Sequence, residues 1–253
     1  MKNKNNKDKS DKQNKQNQKI KQENKEFKIA LIIVAAVVMI LISAIFLPPI
    51  IKEWIYKASL SKLVAEDSYL VDEDGNKYYA LNRSVEAVNT DGVFGLLDGD
   101  EYCYIDFMHT EGVPPAYIVE YKNNVKGTVL RLQNTADITL NTFMPISADI
   151  CTQYADYPID YFVAPDEYLE NGGTSRNDEE YINLIYDALM NGEEMPVPSK
   201  QEKTLRIKLK SQKYPGLYYT VIFTTDENGI SYLYDIGSGK YVSCPDKVTV
   251  RLS

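Results

Sequence analysis

The sequence predicts an α+β protein, with one N-terminal transmembrane helix followed by an extracytoplasmic region of antiparallel β-hairpins. Three observations lead there. A run of nineteen uncharged residues, Ile29 to Leu47, precedes a series of short alternating segments separated by turn residues, and one amphipathic helical pattern stands among them over about 178–190. Charge divides the 253-residue chain at the same places. Residues 1–28 hold ten lysines against four acids, residues 29–47 hold no charge, and the remainder carries 18 Lys/Arg against 32 Asp/Glu, a net −14. That division excludes a simple soluble protein and a multi-span transporter. A main body of −14 also repels phosphate, so nucleic acid is not an expected partner.

Residues 1–28 are mostly Lys, Asn and Gln, too polar to nucleate a core, and are expected to form a disordered basic cytoplasmic tail. The apolar run is the core of a signal anchor over 29–51. As a helix, nineteen residues at 1.5 Å each approach the ~30 Å hydrocarbon thickness of a bilayer. Pro48-Pro49 ends the run, and Trp54 and Tyr56 beside Lys52 and Lys57 suit the membrane interface. A cleaved signal peptide has a shorter apolar stretch, of about 7–15 residues. Ten lysines before the run and three in the twenty residues after it place the N-terminus in the cytoplasm and the C-terminal region outside. The expected location is therefore the cell membrane, single-pass, and the Lys/Asn-rich tail with its long anchor has a bacterial, Gram-positive look.

Trp54, Ile55, Ala58, Leu60, Leu63 and Val64 suggest a juxtamembrane helix over 52–67. The outer region, 68–253, opens with hairpin signals. Tyr69–Val71 and Tyr78–Leu81 flank Asp74-Gly75, Val93–Leu97 and Tyr102–Phe107 flank Asp98-Gly99, and Tyr117–Tyr121 and Val125–Leu132 flank Asn123-Asn124. Ile138–Phe143 reads as a further strand. Residues 147–173 read as an irregular Tyr/Asp-rich connection, leaving 68–146 and 174–253 as candidate subdomains. In the second of these, Glu179 and Glu180 suit a helix N-terminus, Tyr181, Ile182, Ile185, Tyr186, Leu189 and Met190 form one apolar face, and Asn191-Gly192 ends it. Leu205–Leu209, Leu217–Phe223, Ile230–Tyr234, Tyr241–Ser243 and Val248–Leu252 then read as strands of a second meander. Asp72–Ser84 (DEDGNKYYALNRS) faintly echoes Asp226–Ser238 (DENGISYLYDIGS), as two hairpins with similar turns would.

Chemistry-bearing motifs are sparse. Three scattered cysteines and one histidine do not make a zinc site or a disulfide framework. Ser59-Leu60-Ser61-Lys62 lacks the companion elements of penicillin-recognising enzymes, and Gly237-Ser238-Gly239-Lys240 lacks the spacing of a phosphate loop. Asp72-Glu73-Asp74-Gly75 and Asp98-Gly99-Asp100 fit hairpin turns better than a calcium loop. No metal or cofactor is expected. In layout the chain resembles the sortases: a short cytoplasmic tail, one anchor and a β-rich outer domain with His, Cys and Arg in that order, here His109, Cys151 and Arg176. The resemblance implies a cysteine transpeptidase in which the histidine assists a thiolate and the arginine steadies an oxyanion. The sequence departs from that family at its T-L-x-T-C strand, since Thr139-Leu140-Asn141-Thr142 is followed by Phe143.

The main expectation is non-catalytic: an outer module that binds a protein, a peptide or a cell-wall component. The candidate binding residues lie in Tyr154–Tyr168 (YADYPIDYFVAPDEY), where Tyr154, Tyr157, Tyr161 and Tyr168 alternate with Asp156 and Asp160. Aromatic rings beside carboxylates stack on and hydrogen-bond to peptides and sugars. A third possibility is an accessory subunit of a membrane complex, although the anchor lacks a G-x-x-x-G face.

Overall fold

The structure, a computed structural model, describes residues 28, 31–32, 34–39, 51–52, 55–154, 158–162 and 179–253. The chain divides into two compact units, Met1–Ser59 and Leu60–Ser253. In the first unit residues 28, 31–32, 34–39, 51–52 and 55–58 are helical and exposed. Among the described residues no helix is long and apolar enough to cross a membrane, and the 29–47 run is described only at 31–32 and 34–39.

The second unit is mostly β-sheet with a few helices. The helical pattern expected over 52–67 stops early: a turn forms at Ser59, and the chain then makes two short strands, β1 (Ser61–Lys62) and β2 (Val64–Glu66). Tertiary pairing overrides helix propensity here, because β1 pairs parallel with β6 (Thr90–Leu97) while β2 pairs antiparallel with β3 (Tyr69–Val71). The first sheet runs β1-β6-β7-β8-β9-β4-β3-β2, with β4 at Lys77–Ala80, β7 at Asp100–Ile105, β8 at Tyr117–Lys122 and β9 at Val125–Leu132. Its two outermost strands are joined through Leu63 alone, whose amide donates to the Leu96 carbonyl at 2.9 Å. The continuous 61–66 segment thus bridges β6 and β3 and closes the meander into a small barrel.

Alternation along the strands fills that barrel. Leu63, Leu70, Tyr78, Phe94, Tyr102, Ile118 and Leu130 form one buried cluster, one residue from each strand position around the wall. The turns are those the sequence predicts. Asp98-Gly99 and Asn123-Asn124 all have positive φ, at 50°, 94°, 52° and 63°, the left-handed pairs that suit two-residue hairpins.

The opposite residues of the barrel wall, among them Cys103, Ile105, Val119 and Val129, belong to a larger core shared with the second sheet. That sheet runs β11-β10-β13-β14-β15-β16-β12: β10 Ser147–Thr152, β11 Asp160–Phe162, β12 Glu194–Met195, β13 Lys203–Lys210, β14 Leu217–Thr225, β15 Ser231–Asp235 and β16 Lys240–Ser243. The start of β14 also pairs with β5 (Val85–Ala87), which comes from the first half of the chain. Residues of 68–146 and 174–253 thus share one core and one sheet.

Three segments differ from their sequence reading. Residues 147–152 are a strand rather than irregular chain, buried along nearly its whole length. Ile138–Phe143 was expected as a strand but holds helix α1 (Leu140–Phe143), because Thr139 and Thr142 form a reciprocal capping box. Val248–Leu252 was likewise expected as a strand but lies in helix α3 (Asp246–Leu252), where Val248 and Leu252 are buried one turn apart. Between them α2 (Glu179–Asn191) forms as expected, with Ile182 and Ile185 buried in the shared core.

The faint echo has a structural basis. Asp72 Oδ1 accepts from the amides of Asp74 (3.0 Å) and Asn76 (2.8 Å), while Asp226 Oδ1 accepts from those of Asn228 (2.9 Å) and Ile230 (2.8 Å). Both are the same aspartate-closed turn, and in each the aspartate folds back on its own backbone.

Candidate functional site

Strand alternation separates two faces of the second sheet. Ala148 and Ile150 of β10, Ile207 and Leu209 of β13, and Tyr219 and Val221 of β14 turn into the core. On the other face Arg206, Lys208 and Lys210 succeed one another at every second position of β13. The register sets Asp149 opposite Lys208, Cys151 opposite Arg206, and Tyr218 between Lys210 and Glu86.

These groups interlock. Lys210 Nζ lies 2.9 Å from Asp149 Oδ1, and the Tyr218 hydroxyl donates to Asp149 Oδ2 at 3.3 Å. Lys208, only 7% exposed, pairs with Glu86 Oε2 at 3.6 Å, and its ammonium sits 5.2 Å from the Tyr218 ring centroid. Burial first, and then the Asp149 carboxylate, push the Tyr218 hydroxyl up to about 12. Tyr218 is therefore a neutral donor at ordinary pH. The arrangement holds polar groups at fixed spacing.

Of the six predicted binding residues, Asp160 and Tyr161 fall on β11, in register with Ile150 and Asp149. β11 is the outermost strand of the sheet among the described residues. It borders the Asp149–Lys210–Tyr218 group. Tyr154 is 92% exposed just beyond β10. Asp156, Tyr157 and Tyr168 lie outside the described residues. Sequence reasoning missed Asp149, Lys208, Lys210 and Tyr218. The alternating cations of β13 were a visible signal, but their meaning depended on recognising 147–152 as the neighbouring strand.

Of the three cysteine-enzyme candidates, Cys151 and His109 lie among the described residues. Cys151 is fully buried in β10, while His109 follows β7 of the barrel, stacks on Tyr104 with centroids 4.5 Å apart, and sets Nε2 3.5 Å from Asp91. Arg176 lies outside the described residues. The T-L-x-T stretch is the start of helix α1 rather than a strand leading to a nucleophile. Burial also pushes the Cys103 and Cys244 thiols up to about 11, so both stay protonated. Among the described residues no group of His, Cys, Asp and Glu is placed to hold a metal ion.

No family model, curated protein or solved structure matches the chain. The reading of this site rests on its own geometry.

Proposed function

We propose that the chain is a single-pass, membrane-anchored binding module, with its N-terminus in the cytoplasm and residues 60–253 outside. In this reading it takes a basic, extended peptide segment, from a partner protein or a wall component, along the β11 edge. One observation supports the reading: β11, which holds Asp160 and Tyr161, is the outermost strand of its sheet among the described residues and pairs with β10 beside the Asp149–Lys210–Tyr218 group. An outer strand offers backbone groups to an added strand, and pockets or charges along it supply selectivity. The acids of 154–168 and the −14 charge of the region favour a cationic segment.

Binding of the full chain to a panel of extended peptides of both charge signs, alongside soluble wall glycans, tests this. Basic peptides are expected to bind, with Asp160→Lys weakening them at least tenfold and Asn124→Lys, on a barrel turn, leaving them unchanged. Equal binding by wild type and Asp160→Lys, or binding of glycans alone, would contradict the peptide-edge reading.

A further inference from the structure

The direction of β1 shows at which end of the barrel residues 60–253 begin. Because β1 runs parallel to β6, with Ser61 opposite Gly95 and Lys62 opposite Leu96, Leu60 enters from the side of Thr90, the first residue of β6. β7 leaves the barrel on that same side, where Ile105 faces Thr90, and continues into the 106–116 loop. Only twelve residues, 48–59, separate Leu60 from the end of the apolar 29–47 run.

That end of the barrel exposes large apolar side chains beside the exposed Glu111 and Asp91. Phe107 is 80% exposed with φ 62°, and Met144 is 64% exposed with φ 53°. A bulky side chain in the left-handed region is costly, and showing an apolar one to water costs more. Both costs coincide at Phe107, while Met144 takes its left-handed conformation as the C-cap of α1 and adds the cost of exposure. Val113, in the same loop as Phe107, and Ile146, next to Met144, are also exposed. The 211–216 turn joins the two places. Gly216 packs against the Asp106 carbonyl and Met108, Tyr214 stacks on Phe143 at 5.8 Å, and the Ile146 amide donates to the Lys210 carbonyl at 2.8 Å. Between Met144, Ile146 and Lys213 lies a shallow cleft of about 420 Å³. The other end of the barrel differs: it presents the Asp98-Gly99 and Asn123-Asn124 turns and the exposed Lys122–Asp100 pair, beside Val125.

We infer that the Phe107 loop and the adjoining Met144–Ile146 segment seat on the outer leaflet of the membrane, an inference that rests on the anchored reading above. Loop-tip aromatic and aliphatic side chains partition into the headgroup–acyl boundary, and Lys213 beside them is placed to meet lipid phosphate while its stem stays apolar. The short connection to the anchor keeps these tips at high local concentration near lipid, so a small apolar area is enough.

The full chain, reconstituted in phosphatidylcholine vesicles, tests this. The native thiols are buried, so single cysteines introduced as Phe107→Cys, Met144→Cys and, for comparison, Asn124→Cys can carry an environment-sensitive fluorophore. Flotation with the vesicles is scored first, then quenching by brominated lipid and by aqueous iodide. We expect a floating chain whose 107 and 144 labels are quenched by brominated lipid several-fold more than the 124 label. A chain that does not float would overturn the anchored reading and this inference together. A floating chain whose three labels are equally open to iodide would overturn this inference alone, as would 107 and 144 labels shielded from both quenchers, the pattern of a protein partner.

Discussion

The junction where β5 joins β14 and β15 makes the sharpest stability prediction. Asp235 Oδ1 accepts hydrogen bonds from the Ser84 hydroxyl at 2.6 Å, the Tyr219 hydroxyl at 3.1 Å and the Gly237 amide at 3.1 Å. The Gly237 amide also donates to Ser84 Oγ at 2.9 Å. Ser84 is fully buried and Tyr219 is 2% exposed, so neither hydroxyl has water to fall back on. Tyr219→Phe deletes one donor to a charged acceptor that keeps two others, and should cost about 1.5–2 kcal/mol. Asp235→Ala leaves both buried hydroxyls without their acceptor and should cost about 3 kcal/mol. The double variant should cost less than the sum, since both changes remove the same contact. Urea unfolding of the full chain in mild detergent, followed by far-UV circular dichroism, reads these values. Residues 60–253 should unfold in a single transition in every variant, because β5 belongs to one half of the chain and its partner β14 to the other. If Asp235→Ala costs less than about 0.5 kcal/mol, the range of an ordinary surface substitution, or splits the transition in two, the junction does not bind the halves together.

The remaining predictions concern pH and thiols. At Asp226, burial pushes the carboxyl up, but hydrogen bonds from the Ile230 and Asn228 amides and the Tyr232 hydroxyl outweigh it and hold the group below its ordinary 3.8. A depressed carboxylate adds stability that is fully present above that value and is lost as pH falls through the lower folded value. The stability gap between wild type and Asp226→Ala should therefore be constant from pH 5 to 7 and narrow below 3.8, and a gap that widens in acid would refute the assignment. Cys103, Cys151 and Cys244 are all buried and form no disulfide, so a thiol reagent at pH 7 should leave the native chain unmodified and label three sites after denaturation. Rapid native labelling at Cys151 would instead reopen the thiolate chemistry that its burial argues against.

How legible each part was depended on whether its signal was local. The hairpins carried their own turn residues, so Asp98-Gly99 and Asn123-Asn124 could be read directly, and α2 carried both its apolar period and its stop. Val248, Val250 and Leu252 alternate as a strand would, yet the buried pair is Val248 and Leu252 while Val250 is 81% exposed. Pro245-Asp246, a helix-start signal, was the better guide. Ser147–Thr152 gave little local sign of a strand because its polar Asp149 is satisfied by Lys210 and Tyr218, more than sixty residues away. Barrel closure was equally hidden, since it depends on Lys62 and Val64 pairing on opposite sides of Leu63. The candidate site shared that difficulty: Tyr161 was visible as a candidate, but the charged group beside it exists only once β10, β11 and β13 are laid together.

The claim most open to a direct test is that residues 60–253 face outward from an anchored chain. With the native thiols buried, Asn124→Cys on the β8–β9 turn gives one exposed site for a membrane-impermeant maleimide applied to intact cells expressing the full chain. The account predicts labelling in intact cells at the level reached after lysis, with the labelled chain recovered in the membrane fraction. Labelling that appears only after lysis would contradict it.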